Sequence, residues 1–303
     1  MTARRITAIA REHESAARAH KSDLETPGRP SSPRDLIITG ISRSGTSYLC
    51  NLLHRFDNCV AINEPAEIIS LLGAEEVPLG VPAFYRELRH DILAGTPIEN
   101  KLLDGQVVED TALSQRRHEY TPSVAADDFV LAVKNTREFL FRLEAVRQVM
   151  PTARVVACVR NPFDTIASWK ASFAHLRDAD VSPFVTHPTQ MWLSEQQRAA
   201  LLKISATPHF PERRALWWCF QAQCVLQHAD EILIVDYDEL VTRPMTVLRR
   251  VLGGYHPGRP RGPITPSVPR SKRELLGDGD LRAITTLCSR AASDLQLSTP
   301  NCL

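Results

Sequence analysis

The chain has 303 residues, 43% of them hydrophobic, and a formal net charge of +1; that is enough apolar material for one large α/β domain or two small ones. A near-zero charge without a basic stripe argues against a nucleic-acid binder. The seven cysteines (50, 59, 158, 219, 224, 288 and 302) are odd in number and lack paired C-x-x-C spacing, which argues against a disulfide framework or a zinc site and for a reduced compartment.

In chain order, residues 1–33 read as an N-terminal arm, helical from Thr7 to His20, with ETPGRPSSP as a linker. The arm has no apolar run long enough for a signal peptide or membrane anchor, and its acids argue against a transit peptide. The expectation is a cytoplasmic protein with no membrane partner and a single domain over 34–303. Strands are predicted at 35–40, 59–62, 128–134, 154–160 and 231–236. Helices are predicted at 46–56, 137–150, 162–177, 212–229, 243–253 and 279–296. The alternation predicts an α/β fold of three layers, α/β/α, around a mainly parallel central sheet. Residues 73–127 and 178–211 are less regular and are expected to be insertions covering a substrate. Segment 254–273 is too rich in Pro, Gly and Arg for a regular element.

Residues 35–49, DLIITGISRSGTSYL, carry the strongest chemical signal. An apolar strand runs into Gly40, a turn, Gly45, a hydroxyl pair and a helix. Such a turn aims successive N–H groups inward, and the helix start adds unpaired donors and a positive dipole end, so it suits an anion. In the P-loop pattern G-x-x-x-x-G-K-[ST] a Lys precedes the hydroxyl residue. Thr46 stands there instead, and the nearby cation is Arg43, inside the turn. The departure favours a donor whose terminal group carries less charge and whose chemistry needs no metal. Further on, the strand RVVACVR ends at Arg160, and NPFDTIASWKASF opens a helix with Asn161 as cap and Pro162 in the first turn. Arg160 and Ser168 are spaced to reach one phosphate; a strand-end salt bridge and a buried hydroxyl are the plain alternative.

Together these segments resemble the sulfotransferase family that uses PAPS (3'-phosphoadenosine 5'-phosphosulfate) and releases PAP. GISRSGTSYL resembles its 5'-phosphosulfate loop, VRNPFDTIAS its R-[DN]-P-x-D-x-x-x-S element, and IVDYDELVTRPMTVLRRVLGGY its Y-E-D-L, Pro and L-G segment. The resemblance spans about residues 35 to 255. It implies in-line sulfuryl transfer to a hydroxyl or amine of a small-molecule acceptor. It also implies that Ser42, Arg43, Ser44, Gly45, Thr46 and Ser47 hold the 5'-phosphosulfate through backbone N–H groups and hydroxyls, with Arg43 meeting developing charge. Arg160 and Ser168 would take the 3'-phosphate, Tyr48 and Tyr237 the adenine, and Arg270 and Lys272 would close a basic loop over the nucleotide. Core packing is the alternative for both tyrosines, and plain solvation for the loop.

The resemblance also supplies a base. Glu64, just after the short second strand, matches branches with a catalytic Glu in that position; a raised pKa would suit it to accept a proton. Helix capping is the other reading, Glu67 is a fallback, and His54, His90 and His118 stand for branches that use a His. Lys134, ending the run FVLAV, resembles a strand-end Lys aimed at the transferred group; snorkelling is its alternative. Asp164 is expected to serve its helix's first turn rather than ligand. Phe84, Tyr85, Tyr120, Phe184 and Trp192 would suit an organic acceptor or a core. Two other classes stand beside this one: a degenerate P-loop kinase or NTPase, for which Asp236 would have to hold magnesium, and a non-catalytic nucleotide binder. The acceptor and the oligomeric state, a homo-oligomer included, are left open.

Overall fold

Apolar runs at β1 (Arg34–Gly40), β6 (Val130–Lys134) and β7 (Arg154–Val159) are buried almost end to end, as strands covered on both faces must be. The structure is a computed structural model that describes residues 34–186 and 191–297; the expected arm helix Thr7 to His20 and Cys302 lie outside them. With β2 (Cys59–Asn63) and β8 (Leu233–Asp236) these strands form one parallel sheet in the order β2-β6-β1-β7-β8. Alternate side chains go to opposite faces: Leu36 and Ile38 join one buried cluster and Ile37 another. The expected α/β architecture with a parallel central sheet flanked by helices is therefore what the chain builds.

Helix α1 (Thr46–His54) follows β1. The expected helix over 137–150 is two, α4 (Arg137–Phe141) and α5 (Leu143–Val149), because Arg142 leaves the helical backbone region. Its guanidinium donates to the carbonyls of Leu72, Glu75 and Glu76, capping α2 (Glu67–Ala74) in the way cations favour helix C-termini. The helix expected over 162–177 also divides, into α6 (Pro162–Lys170) and α7 (Ala174–Arg177), about an extended Phe173. As expected, Asn161 caps α6, its Oδ1 accepting the Asp164 N–H at 2.9 Å.

Residues 73–127 are more regular than their composition suggests. They hold α3 (Gly80–Leu93) and a small antiparallel sheet of β3 (Ile98–Leu103), β4 (Gln106–Val107) and β5 (Arg117–Tyr120). Beyond them come α8 (Ser182–Thr186), α9 (Glu195–Ala206), α10 (Phe210–Leu226), α11 (Tyr237–Thr242), α12 (Pro244–Leu252) and α13 (Asp278–Asp294). Leu201 and Ile204 of α9 enter the same core as Trp217, Trp218 and Ile284 of α10 and α13. The chain leaves β1 toward β2 and leaves β7 toward β8, in opposite directions, so a crevice opens beyond the carboxyl ends of β1 and β7.

Candidate active site

The turn after β1 is shaped by contacts that sequence alone does not show. Gly40 has φ +135°, and a Cβ there would lie 2.0 Å from the Cys158 carbonyl oxygen; only glycine lets the chain pass this close to β7. Ile41 N–H then bonds that carbonyl at 2.9 Å. Two fully buried side chains hold the turn from beneath. Trp169 Nε1 donates to Ser42 O at 2.8 Å, and Gln221 Oε1 accepts both the Ser42 N–H and the Ser42 hydroxyl at 2.9 Å.

This corrects part of the expected anion cradle. The Ser42 N–H is committed to Gln221, and the Ser44 N–H bonds Ile41 O at 3.1 Å. Ser44 is fully buried, its Oγ unpartnered, and it does not border the cavity. Both serines shape the loop instead of offering N–H groups. The N–H groups of Gly45, Thr46 and Ser47 find no protein acceptor among the described residues. Gly45, with φ +87°, caps α1 without a side-chain bond, and the first turn carries no acid. An anion can therefore meet free donors and an uncompensated dipole end there.

One cavity of about 610 Å³ is bordered by Ser42, Arg43, Gly45, Thr46, Ser47, Tyr48, Glu64, Lys134, Arg160, Ser168, Tyr237, Arg270 and Lys272. Every residue that the resemblance assigns to the donor or to the transfer step, except Ser44, thus borders one cavity. Tyr48, Tyr237, Val241 and Val268 offer it flat or apolar surface, and Glu64, Lys134, Thr136 and Gln115 also line it. Tyr237 packs on Gly45 and carries the Arg160 guanidinium over its ring at 4.1 Å. Arg160 donates to the Arg270 carbonyl, and its buried Nε has no partner. The basic loop is tied down: Asp164 accepts from Ser271 Oγ at 2.6 Å and Arg273 Nε at 2.8 Å. Asp164 therefore does more than serve its helix, and these donors hold its carboxyl below the usual range despite burial.

Arg43 is spoken for in this state. Its guanidinium forms a two-pronged pair with Asp110, at 2.6 and 2.7 Å, and its Nε reaches Ser168 Oγ at 3.4 Å. Glu109, next in sequence, lies 3.7 Å from Arg270. Acids of the 108–116 loop thus stand against two cations expected to hold donor.

Glu64 departs from its expected chemistry. Burial alone would raise its pKa, but Lys134 and Lys101 overcome this and hold the carboxylate well below the usual range. Lys134, 1% exposed, ion-pairs with Oε1; Lys101, 5% exposed, meets Oε2 at 2.5 Å and Gln115 Oε1 at 2.7 Å. The raised pKa expected from depth is therefore not present. Glu64 sits at φ +54°, and its own N–H and O bond Lys134 O at 2.8 Å and Arg117 at 2.5 Å. No helix is capped by it; α2 begins at Glu67. Sequence reasoning missed Lys101 because it lies in a polar run, IENKLL, and its partner is 37 residues away.

The histidine alternatives do not converge on the cavity. His54 is buried against the Tyr120 ring, its pKa pushed down to about 4 by desolvation, and neither His90 nor His118 borders the cavity. His175, not anticipated, does border it. Asp236 caps α11 through the Asp238 N–H at 3.2 Å and is absent from the lining. Most of the aromatics proposed for an acceptor are structural: Tyr85 donates to Leu36 O at 2.9 Å, and Phe84 lies in the same core. Trp192 donates to Gly73 O at 3.2 Å. Among the described residues no group of three or more His, Cys, Asp or Glu could hold a metal ion, and no helix is long and apolar enough to cross a membrane.

A parallel sheet with an anion-ready loop at its crevice and basic groups converging from neighbouring strand ends defines an α/β protein with a site for an anionic ligand. A sequence model described as the sulfotransferase family matches residues 34–254, and the chain belongs to that family. Among solved structures, it is similar to sulfotransferase STF9 from Mycobacterium avium (11% identity, 97% of this chain and 82% of that one, TM-score 0.45). It is also similar to a sulfotransferase from Alicyclobacillus acidocaldarius (14% identity, 89% and 98%, TM-score 0.43). A third likeness is to the sulfotransferase domain of the Synechococcus PCC 7002 olefin synthase (15% identity, 93% and 94%, TM-score 0.38). A comparison with curated proteins gave no match.

Proposed function

We propose that the protein moves a sulfuryl group from PAPS to a hydroxyl or amine of a small-molecule acceptor. The observation that carries this reading is the meeting, in one cavity, of the free N–H groups opening α1, the stacked Arg160 and the Lys134–Glu64 pair. The unpartnered buried Nε of Arg160 and the uncapped start of α1 fit a ligand with separated anionic groups. Gly45, Thr46 and Ser47 would bind the 5'-phosphosulfate, Arg160, Ser168, Arg270 and Lys272 the 3'-phosphate, and Tyr48 and Tyr237 the base.

The reaction breaks the bond between sulfur and the bridging phosphate oxygen and makes one between sulfur and the acceptor oxygen; the acceptor's proton passes to Glu64. Lys134 has two demands on it. While paired it keeps Glu64 a weak base; turned toward a sulfonate, it leaves Glu64 with Lys101 alone, and the carboxylate's basicity rises. Donor binding would thereby prepare the base, and Lys134 and Arg43 would stabilise the charge that develops in transfer. The 73–127 segment supplies Asp110 and Gln115 to the cavity and Lys101 to Glu64, and it is the proposed acceptor cover.

Calorimetric titration of metal-free protein with PAP, against ATP plus magnesium, tests the reading. Expected is PAP binding without metal, weakened at least about tenfold by Arg160→Ala, since a charge-assisted contact contributes about 1.5–3 kcal/mol. Binding of ATP with magnesium alone would overturn it.

A further inference from the structure

A second cavity, of about 300 Å³, adjoins the first, and Arg137 and His175 border both. Arg137 opens α4 three residues after Lys134, so the junction lies close to the reacting end. Ile69, Phe141, Pro183 and Phe184 make most of the second cavity's exposed surface apolar, with Glu138, Arg142 and Asp180 also on its border. Phe141 and Phe184 meet edge to face at 5.5 Å. The Arg137 guanidinium lies over the Phe184 ring at 4.6 Å and makes no ion pair among the described residues. His175 forms the facing side, stacked on Phe173, which borders the main cavity. The first cavity is lined by many charged groups, the second exposes mainly apolar surface, and the two share Arg137 and His175 as their common border.

We propose that the second cavity is a tail subsite and that the acceptor is an amphipathic alcohol. Its hydroxyl lies by Glu64 and Lys134, and its unbranched apolar chain passes Arg137 and His175 into the pocket of Ile69, Phe141 and Phe184. The inference rests on the sulfotransferase reading and narrows its substrate class. The border shared with the reacting cavity singles out this occupant, because a chain lying across Arg137 and His175 is already joined to the group that reacts. Each buried methylene contributes transfer free energy that an exposed one lacks, about a threefold to fourfold gain in affinity.

The test is sulfation of the primary alcohols from butanol to decanol, with PAPS as donor. Wild type is expected to show a KM falling about threefold per added methylene until the pocket fills, with kcat changing little. Ile69 is 37% exposed, so Ile69→Glu is tolerated by the fold and puts a charge on the tail wall; Pro183→Glu, at another exposed position on the wall, does the same. Both variants are expected to lose the chain-length dependence and to keep wild-type turnover of butanol and wild-type PAP affinity. A KM independent of chain length in wild type, a series unchanged in both variants, or PAP binding with no alcohol sulfated would each overturn the tail subsite. Failure to bind PAP would instead sink the sulfotransferase reading beneath it.

Discussion

A carboxylate between two buried lysines titrates differently from one alone in a pocket, and Glu64 illustrates the difference. Lys134 and Lys101 outweigh burial and favour its ionised form. Its folded pKa lies below the unfolded value of about 4.3, so its contribution to stability is complete above that value and is lost as pH falls toward the folded one. In chemical denaturation, the stability gap between wild type and Glu64→Gln is therefore expected to be constant from about pH 7 to 5 and to shrink below about pH 4. A gap that instead grows as the solution is acidified would show that the lysines do not govern the carboxylate. Gly40 supports a blunter expectation. Alanine there would combine a φ of +135° with backbone 2.0 Å away, and more than about 3 kcal/mol of stability should be lost. Near-normal melting of Gly40→Ala would contradict the close approach of β1 and β7.

The elements legible in the sequence are those whose burial is continuous. β1, β6 and β7 are apolar runs sealed on both faces, and the loop after β1 announces itself by its two glycines. What stayed hidden depends on distant partners. β3 buries Asn100 and Lys101, residue types that read as surface, because Asn100 bonds the Asn63 N–H and Ala61 O at 2.8 Å and Lys101 meets Glu64. Arg142 breaks a periodic helix for carbonyls of α2 some 70 residues earlier. The 108–116 loop was hidden for the same reason, yet its Asp110 holds Arg43 in this state. If Asp110 competes with the donor for that guanidinium, Asp110→Asn should tighten PAP binding by about threefold to fivefold, the scale of a half-exposed ion pair of about 1 kcal/mol. Weaker binding in the titration would mean that Asp110 instead holds Arg43 in its binding posture.

The family match ends at residue 254, but the packing does not. Helix α13 lies against α10 and places Ile284 and Cys288 in the core that also holds Trp217 and Trp218. A charged node binds the same layer: Asp280, 3% exposed, receives Lys170 of α6 at 2.6 Å and Arg214 of α10 at 2.5 Å. Those two cations hold its carboxyl below the usual range against the cost of burial. Removing the shared anion leaves two cations facing each other in a poorly solvated place, a change that typically costs about 3–5 kcal/mol. Asp280→Ala is expected to lose stability on that scale while the folded fraction keeps wild-type PAP affinity, because no member of the node borders the donor cavity. Denaturant unfolding followed by tryptophan fluorescence and by far-ultraviolet circular dichroism separates the cases. Coincident transitions at a lowered midpoint mean that α13 belongs to the same cooperative unit as the sheet. Two separated transitions, with the later one unmoved by the substitution, would mean that the sheet and its loop fold without it.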